Sequence, residues 1–265
     1  MKVTVLTTYY NKGAYVEEAV RSVLASSFTD FELLVVDDAS TDGGLDKVRA
    51  IGDPRIRILE SAVNTGRPAA ANRGFAAARG EYIAILDADD MMHPDRLARQ
   101  MTLLDSDPRI AVCGTWMVQF GEATGTMERP LTDELIRSRI LQGIPLAYPS
   151  CMLRRALVHE HGVRCDPAWR TPGMDHLFLV ELGRFGTYAN IPEPLTRYRV
   201  GEQNMAFGRD LLNDRRLMLA ETFRKLGIKA TSEEVEYQLV LHGLRGSIPS
   251  VAFVKGMRRW MVDLV

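Results

Sequence analysis

The sequence contains few cysteines, with only Cys113, Cys151 and Cys165 among its 265 residues. An odd number without the close spacing of metal ligands predicts free thiols in a reducing compartment. No stretch reaches the roughly 18 consecutive apolar residues of a membrane-spanning helix. The first ten residues also lack the apolar run of a secretory signal. These absences predict a cytoplasmic protein.

A bias of charge is also missing, because 33 Lys and Arg residues balance 34 Asp and Glu residues. We therefore expect no nucleic-acid partner. No G-x-G-x-x-G pattern follows the first predicted strand, which argues against a dinucleotide oxidoreductase. Residues 7–13 offer no Gly-rich loop bearing Lys or Arg to hold a triphosphate, which argues against a nucleotidyltransferase.

The first 120 residues alternate apolar strands with amphipathic helices, which predicts an α/β fold with a mostly parallel sheet between two helical layers. The predicted strands are Val3–Thr7, Phe31–Val36, Ile56–Leu59, Tyr82–Leu86 and Ile110–Val118. The predicted helices are Ala14–Ser26, Leu45–Ile51, Pro68–Ala78 and Pro94–Asp105. Ligands bind beyond the carboxyl ends of the strands in such sheets.

The remainder of the chain is less regular. Residues 121–132 are turn-rich, and helices are predicted over Leu131–Gln142 and Leu177–Phe185. From Leu211 onward the pattern is helical, with breaks at Gly227 and around residues 246–249.

Three carboxylates, Asp87, Asp89 and Asp90, follow the fourth predicted strand. Successive strand residues face opposite ways, so Asp87 and Asp89 share a face. Crowded carboxylates repel each other unless a cation compensates, and Mg²⁺ and Mn²⁺ prefer such oxygen ligands. The alternative is a solvated acidic turn that caps the helix after Pro94.

Two further polar segments end or follow strands. Asp38 can accept hydrogen bonds from a base N–H or a ribose hydroxyl, and we expect residues 40–42 to cap the next helix. Gly66 permits close backbone approach, and Arg67 can bridge to base or phosphate oxygens. The alternative for Arg67 is an ordinary surface arginine.

Together these segments resemble the family 2 glycosyltransferases of GT-A fold, a Rossmann-like α/β architecture. The five segments that carry the resemblance are residues 7–11 (TTYYN), 36–42 (VDDASTD), 64–66 (NTG), 79–83 (RGEYI) and 86–90 (LDADD). It continues through residues 151–155, 174–179 and 195–199, and covers roughly residues 1–200.

The resemblance implies roles for seven residues. Thr8, Tyr10, Asp38 and Arg67 match contacts to the donor nucleotide, Asp87 a carboxylate near ribose or metal, Asp89 the direct ligand of Mn²⁺ or Mg²⁺, and Asp175 the catalytic base. The residue type alone also fits Asp175 as a helix N-cap. Two positions depart from the family pattern, because Met174 stands where Glu is frequent and Gly201 where His is frequent.

The activity implied is inverting, metal-dependent transfer of a sugar from a nucleoside-diphosphate sugar, UDP-linked, to an acceptor hydroxyl. The acceptor would be a carbohydrate or a lipid-linked molecule in cell-surface polysaccharide or glycoconjugate synthesis. Residues 1–120 would form the donor half, 121–200 the acceptor half and 201–265 a helical extension. A nucleotide-binding regulatory module without transferase activity is the alternative, and the three aspartates at 38, 89 and 175 argue against it.

The last predicted helix is amphipathic. One face carries Phe253, Val254, Met257, Trp260, Met261 and Leu264, and the other carries Lys255, Arg258, Arg259 and Asp263. Such a stripe must be covered. Three interpretations stay open: docking on the chain's own body, peripheral contact with the inner face of a membrane, and a homodimer contact.

Overall fold

The computed structural model describes residues 1–169, 172–202, 204, 211–241, 243 and 250–263. Its strands are β1 (Val3–Tyr9), β2 (Phe31–Asp37), β3 (Ile56–Leu59), β4 (Tyr82–Ile85), β5 (Met91–Met92), β6 (Ile110–Gly121), β7 (Gly125–Met127), β8 (Met152–Arg154) and β9 (Thr187–Val200). They form one sheet of order β3-β2-β1-β4-β8-β6-β9-β5, with β7 paired to β6.

The helices lie mainly between the strands. They are α1 (Val16–Leu24), α2 (Gly44–Ile51), α3 (Arg67–Ala77), α4 (Arg96–Ser106), α5 (Asp133–Ser138), α6 (Arg155–Glu160), α7 (Met174–Leu182), α8 (Leu211–Leu226), α9 (Ser232–Leu241) and α10 (Val251–Asp263). Short 3₁₀ turns cover Ile140–Gln142, Tyr148–Ser150 and Gly183–Phe185.

The sheet order reverses at β1. The chain builds β2 and β3 on one side of β1 and then returns to place β4 on the other side, with all these pairs parallel. A crevice opens at such a switch point, beyond the carboxyl ends of the strands. Past β4 the sheet is mixed, because β8 runs antiparallel between β4 and β6.

Helices cover both faces of the sheet, as predicted. Neighbouring strand residues alternate between the faces: Val5 packs in the core beside α1, α2 and α4, and Leu6 packs in the core beside α3 and α7. Gly74 in α3 lets that helix approach closely, since a Cβ there would lie 2.3 Å from a methyl group of Leu6. The predicted α/β fold class is confirmed.

The predicted helical C-terminal region is also present, and α8, α9 and α10 share a separate small core. The rings of Phe223 and Trp260 meet edge to face at 5.5 Å in it. His176 on α7 and Thr222 on α8 connect this core to the rest through a 2.9 Å hydrogen bond at His176 Nε2. The break predicted around residues 246–249 lies outside the described residues.

Two predictions for the second half were inaccurate, and one long strand was missed. The helix predicted over Leu131–Gln142 is the short α5 and a 3₁₀ turn, and α7 begins at Met174 rather than at Leu177. The long strand β9 was not anticipated, because Pro192 and Pro194 disfavour a central strand. The sheet accommodates them with a bulge, where Thr115 pairs with Ile191 and Trp116 with Pro194.

Candidate functional site

A cavity of about 640 Å³ lies at the switch point, where β1, β2 and β4 end. All seven residues singled out from the sequence line it: Thr8, Tyr10, Asp38, Arg67, Asp87, Asp89 and Asp175. The strand register explains the first part of this convergence, because parallel strands end at the same edge. Tyr10 is half exposed at the rim, with 49% of its surface accessible.

Asp38 is buried and fixes the loop that precedes α3. Its Oδ1 accepts from the backbone N–H and the hydroxyl of Thr65, at 3.0 and 2.7 Å, and its Oδ2 accepts from the N–H of Gly66 at 2.7 Å. A carboxylate offers about four acceptor positions, so one remains on Oδ2. Gly66 has a φ of 89°, which favours glycine at this position.

The expected capping by residues 40–42 is only partly observed. The N-cap of α2 is Gly43, and Asp42 Oδ1 accepts from the N–H of Gly44 at 3.1 Å. Ser40 instead accepts from the N–H of Asn11, which ties the loop after β2 to the loop after β1.

Arg67 and Asp87 form an ion pair within the cavity wall. Arg67 Nη2 lies 3.2 Å from Asp87 Oδ1, and the guanidinium lies 5.4 Å from the centre of the Tyr148 ring. Burial raises the pKa of Asp87, Arg67 opposes this, and the charges of Asp89 and Asp175 raise it further. The interpretation of Arg67 as a surface arginine is therefore wrong, and these charges act on one another.

Asp89 is paired with a lysine that the sequence reasoning did not select. Lys12 Nζ lies 2.8 Å from Asp89 Oδ2, and the side chain of Asp89 is nearly buried. The backbone of Asp89 is held by Arg199, whose Nε donates to its carbonyl at 2.9 Å. The N–H of Arg199 also donates to Asp90 Oδ1 at 2.8 Å. The alternative interpretation of residues 87–90 as a solvated acidic turn is therefore wrong.

The residues fit a divalent ion that arrives with a phosphate-bearing ligand. Among the described residues no group of three or more His, Cys, Asp or Glu side chains is arranged to hold a metal. Asp87 and Asp89 do line one cavity as oxygen donors. Mg²⁺ is commonly bound by one or two carboxylates with substrate phosphates completing the shell, which is the arrangement that this donor set allows.

Asp175 lies in the first turn of α7 and lines the same cavity. The N-cap of α7 is Gly173 with a φ of 111°, so the interpretation of Asp175 as the N-cap is wrong. Its Oδ1 accepts from the N–H of His176 at 2.9 Å. The preceding residues Arg170 and Thr171 lie outside the described residues.

Several cavity residues were not anticipated: Lys12, Met117, Met127, Arg129, Ile144, Tyr148, Tyr198 and Asn204. The sequence could have pointed to two of them. Lys12 stands two residues after Tyr10, and Tyr198 lies in a segment that carries the family resemblance. Gly201 replaces the frequent histidine, and its N–H donates to Asn204 Oδ1 at 2.8 Å. Asn204 in turn donates to the Tyr198 hydroxyl at 3.3 Å.

The family model for glycosyl transferase family 2 matches residues 4–162, more than half of the chain. This chain belongs to glycosyltransferase family 2. Membership confirms the resemblance seen in the sequence. ExoO of Rhizobium meliloti (strain 1021), named for succinoglycan biosynthesis, is 41% identical over 189 residues, which is 67% of this chain and 54% of ExoO. This family 2 chain thus spans about half the length of that relative.

A protein named EpsE from Bacillus subtilis (strain 168) is 32% identical over 219 residues, 78% of this chain and 76% of its own length. Among solved structures, S. aureus TarS with UDP-GlcNAc aligns with a TM-score of 0.73 at 19% identity, covering 91% of this chain and 71% of that chain. PcManGT, a Pyrobaculum calidifontis mannosyltransferase with GDP-Man and Mn²⁺, aligns with a TM-score of 0.65 at 19% identity, covering 98% and 83%. The family 2 chain thus has the GT-A fold.

Proposed function

We propose that this chain transfers a sugar from a UDP-sugar to an acceptor hydroxyl, with inversion at the anomeric carbon and with a divalent metal ion. The observation that carries the proposal is the convergence of Asp87, Asp89 and Asp175 with Arg67 around one cavity. The bond between the anomeric carbon and the diphosphate oxygen breaks. A bond from the acceptor oxygen to that carbon forms on the opposite face, and the hydroxyl proton moves to Asp175.

Asp89 would hold the metal directly, and Asp87 would lie beside it or against the ribose. A bound Mn²⁺ or Mg²⁺ would stabilise the negative charge that develops on the departing diphosphate. Lys12 lies 2.8 Å from Asp89 and is a second cation within reach of the same region. The Mn²⁺ in the PcManGT complex supports the choice of ion.

Thr8, Tyr10, Asp38 and Arg67 would bind the nucleotide. The acceptor position that remains on Asp38 Oδ2 suits the N3–H of uracil or thymine. The exposed ring of Tyr10 at the rim offers a surface for base stacking. TarS was solved with UDP-GlcNAc, which supports a uridine donor, whereas PcManGT was solved with GDP-Man. The base therefore needs a direct test.

The test is a binding and hydrolysis screen on the full chain. UDP should bind in the presence of Mn²⁺, and one nucleotide sugar of a panel should be hydrolysed at a rate that excess chelator abolishes. Asp89→Asn and Asp175→Asn should both lose hydrolysis, and only Asp89→Asn should lose metal-dependent UDP binding. Binding of NAD or of a nucleoside triphosphate in place of UDP would refute the proposal.

The surface of helix α10 is relevant to whether the acceptor is presented at a membrane. Its Phe253, Met257 and Trp260 pack into the C-terminal core, as docking on the chain's own body requires. Val254 and Met261 of the same predicted stripe are exposed, at 40% and 46%. Leu264 lies outside the described residues. The stripe is therefore divided between the core and the surface.

The exposed face of α10 combines apolar and basic side chains. Val251, Val254, Met261 and Val262 stand among Lys255 and Arg258 at helical spacing. Such a face suits the surface of an anionic membrane, where a lipid-linked acceptor would be presented. No helix in the described part of the chain is long and apolar enough to cross a bilayer. Contact at the inner face of the membrane is therefore part of this proposal.

Vesicle binding tests the membrane contact. The full chain should co-sediment with vesicles containing phosphatidylglycerol, and the double variant Val251→Glu/Val262→Glu should not. Val63→Glu changes an equally exposed valine far from α10 and is the matched control. Analytical sedimentation of the protein without lipid shows whether the same double variant disrupts a homodimer. A homodimer that the double variant disrupts would contradict the membrane assignment.

A further inference from the structure

Arg129 is an arginine of the cavity wall that the proposed function does not use. It follows β7, whose Met127 pairs with Met117 of β6, and both methionines line the cavity beside it. Two hydrogen bonds anchor the backbone at and after Arg129: Trp116 Nε1 donates to the carbonyl of Arg129 at 3.0 Å, and Asn190 Nδ2 donates to that of Pro130 at 2.6 Å. The position of Arg129 is therefore fixed by the sheet.

The guanidinium of Arg129 has no hydrogen-bond or ion-pair partner within the described part of the chain, and its Nε is buried. Arg96, which is fully buried, shows what the fold does when an arginine is structural. It donates to Gln100 and to three backbone carbonyls, those of Ile85, Pro149 and Cys151. Leaving buried donors of a charged group unpaired is costly. Arg129 thus differs from a structural arginine.

The acidic side chains of the cavity do not form an ion pair with Arg129. Asp87 is paired with Arg67 and Asp89 with Lys12. Burial lowers the pKa of Arg129. The cavity is therefore lined by carboxylates with their own cations and by an arginine without a partner among the described residues, together with apolar side chains that strengthen any charge contact there.

We propose that Arg129 binds a carboxylate or phosphate group carried by one of the two sugar substrates, so that the enzyme acts on an acidic sugar. The planar guanidinium matches both groups through paired N–H···O contacts. This inference rests on the proposed function, since the same cavity must hold both substrates. The anionic group belongs either to the transferred sugar or to the acceptor, and separate measurements distinguish them.

The donor arm compares UDP-glucose with UDP-glucuronic acid, which differ only at C6. The acceptor arm compares methyl β-glucoside with methyl β-glucuronide and glucose 6-phosphate, titrated with and without UDP and Mn²⁺. In one arm the acidic probe should bind better than the neutral probe by on the order of ten-fold, the worth of a charge-assisted hydrogen bond. Arg129→Gln should abolish that preference.

Arg129→Lys should keep a weaker preference, because it retains the charge without the planar fork. Arg139→Gln alters an exposed arginine away from the cavity and should leave the preference unchanged. All variants should bind UDP as the wild type does and melt at the same temperature.

Equal binding of acidic and neutral probes in both arms would overturn the inference. Loss of UDP affinity in Arg129→Gln would also overturn it, because Arg129 would then be a nucleotide contact. Failure of the wild type to bind UDP at all would instead count against the proposed function. The two outcomes can be told apart because the acceptor probes are also titrated without nucleotide, where the preference for an acidic group can still be measured.

Discussion

Residues 1–120 and residues 121–200 contribute charges to one crevice but hold them differently. In residues 1–120, the predicted donor half, Lys12 pairs with Asp89 and Arg67 pairs with Asp87. Lys12, Asp87 and Asp89 stand on loops that follow parallel strands, where the register of the sheet positions the backbone, and Arg67 begins α3. This part of the cavity thus carries its own counter-charges.

Residues 121–200 bring two charged side chains to the cavity that have no ion pair. Asp175, in the first turn of α7, and Arg129, two residues after β7, have no ion pair within the described part of the chain. We expect the nucleoside diphosphate, the constant group of the donor, to bind where the charges are already neutralised inside the protein. We expect the variable part of the substrates to complete the site where the charges have no ion pair.

Replacing Asp89, the proposed metal ligand, should have the largest effect. Asp89→Asn should lower the transfer rate by about 10³-fold or more, because a metal ion contributes several kcal/mol of charge stabilisation. UDP binding should also lose its dependence on Mn²⁺. Rates of donor hydrolysis with Mn²⁺ and with chelator measure both effects, and Asp46→Asn, on the exposed side of α2, is the control. Full wild-type activity in chelator would contradict a metal role.

The acceptor half should show a different signature. Asp175→Asn keeps the shape of the side chain but cannot take up a proton at neutral pH, so transfer should fall by roughly 10²-fold. UDP affinity should stay near the wild-type value. Calorimetry with UDP and a steady-state transfer assay separate the two, with Asp166→Asn as an exposed control. Wild-type transfer by Asp175→Asn would leave that residue only a structural role in α7.

The junction between the acceptor half and the C-terminal core should be sensitive to acid. Burial lowers the pKa of His176 from 6.5 to about 4. Its contribution to stability is therefore full above the unfolded value and falls as the pH decreases toward 4, by about 2 kcal/mol between pH 7 and pH 5.

His176→Gln should remove that part of the pH dependence, which urea unfolding at the two pH values measures. His93→Gln changes an exposed histidine of the donor half and should keep the wild-type slope. An unchanged slope in His176→Gln would show that other groups control the acid response.

The smallest predicted effect concerns the base. UDP and dTDP should compete for the donor site better than GDP and ADP, by about ten-fold, since one hydrogen bond to a charged group distinguishes them. Displacement of a labelled UDP ligand measures the order. A stronger effect of GDP would reverse the assignment of Asp38 to a pyrimidine.

The sequence predicted the donor half well because its signals are local. Asp38, Asp87 and Asp89 follow apolar strands, and parallel register alone brings them together. Arg129 could not be found in this way, since its place depends on the pairing of β6 with β7 and on its lack of a partner. The strand β9 was missed because its prolines are tolerated only by a bulge formed with Trp116. The divisions at residues 120 and 200 stay predictions, and β6 runs through the first of them.

The contact between Lys12 and Asp89 has a consequence for the sequence of events in a catalytic cycle. A divalent ion that approaches alone must compete with an ammonium group already 2.8 Å from its ligand. An ion that arrives bound to a diphosphate brings a new anion for the Lys12 ammonium group. Lys12 can then pair with the diphosphate while Asp89 pairs with the ion, so no charge loses its partner. Metal and nucleotide should therefore enter and leave together. Protein dialysed after purification should carry little metal, and its affinity for Mn²⁺ should rise when UDP is added.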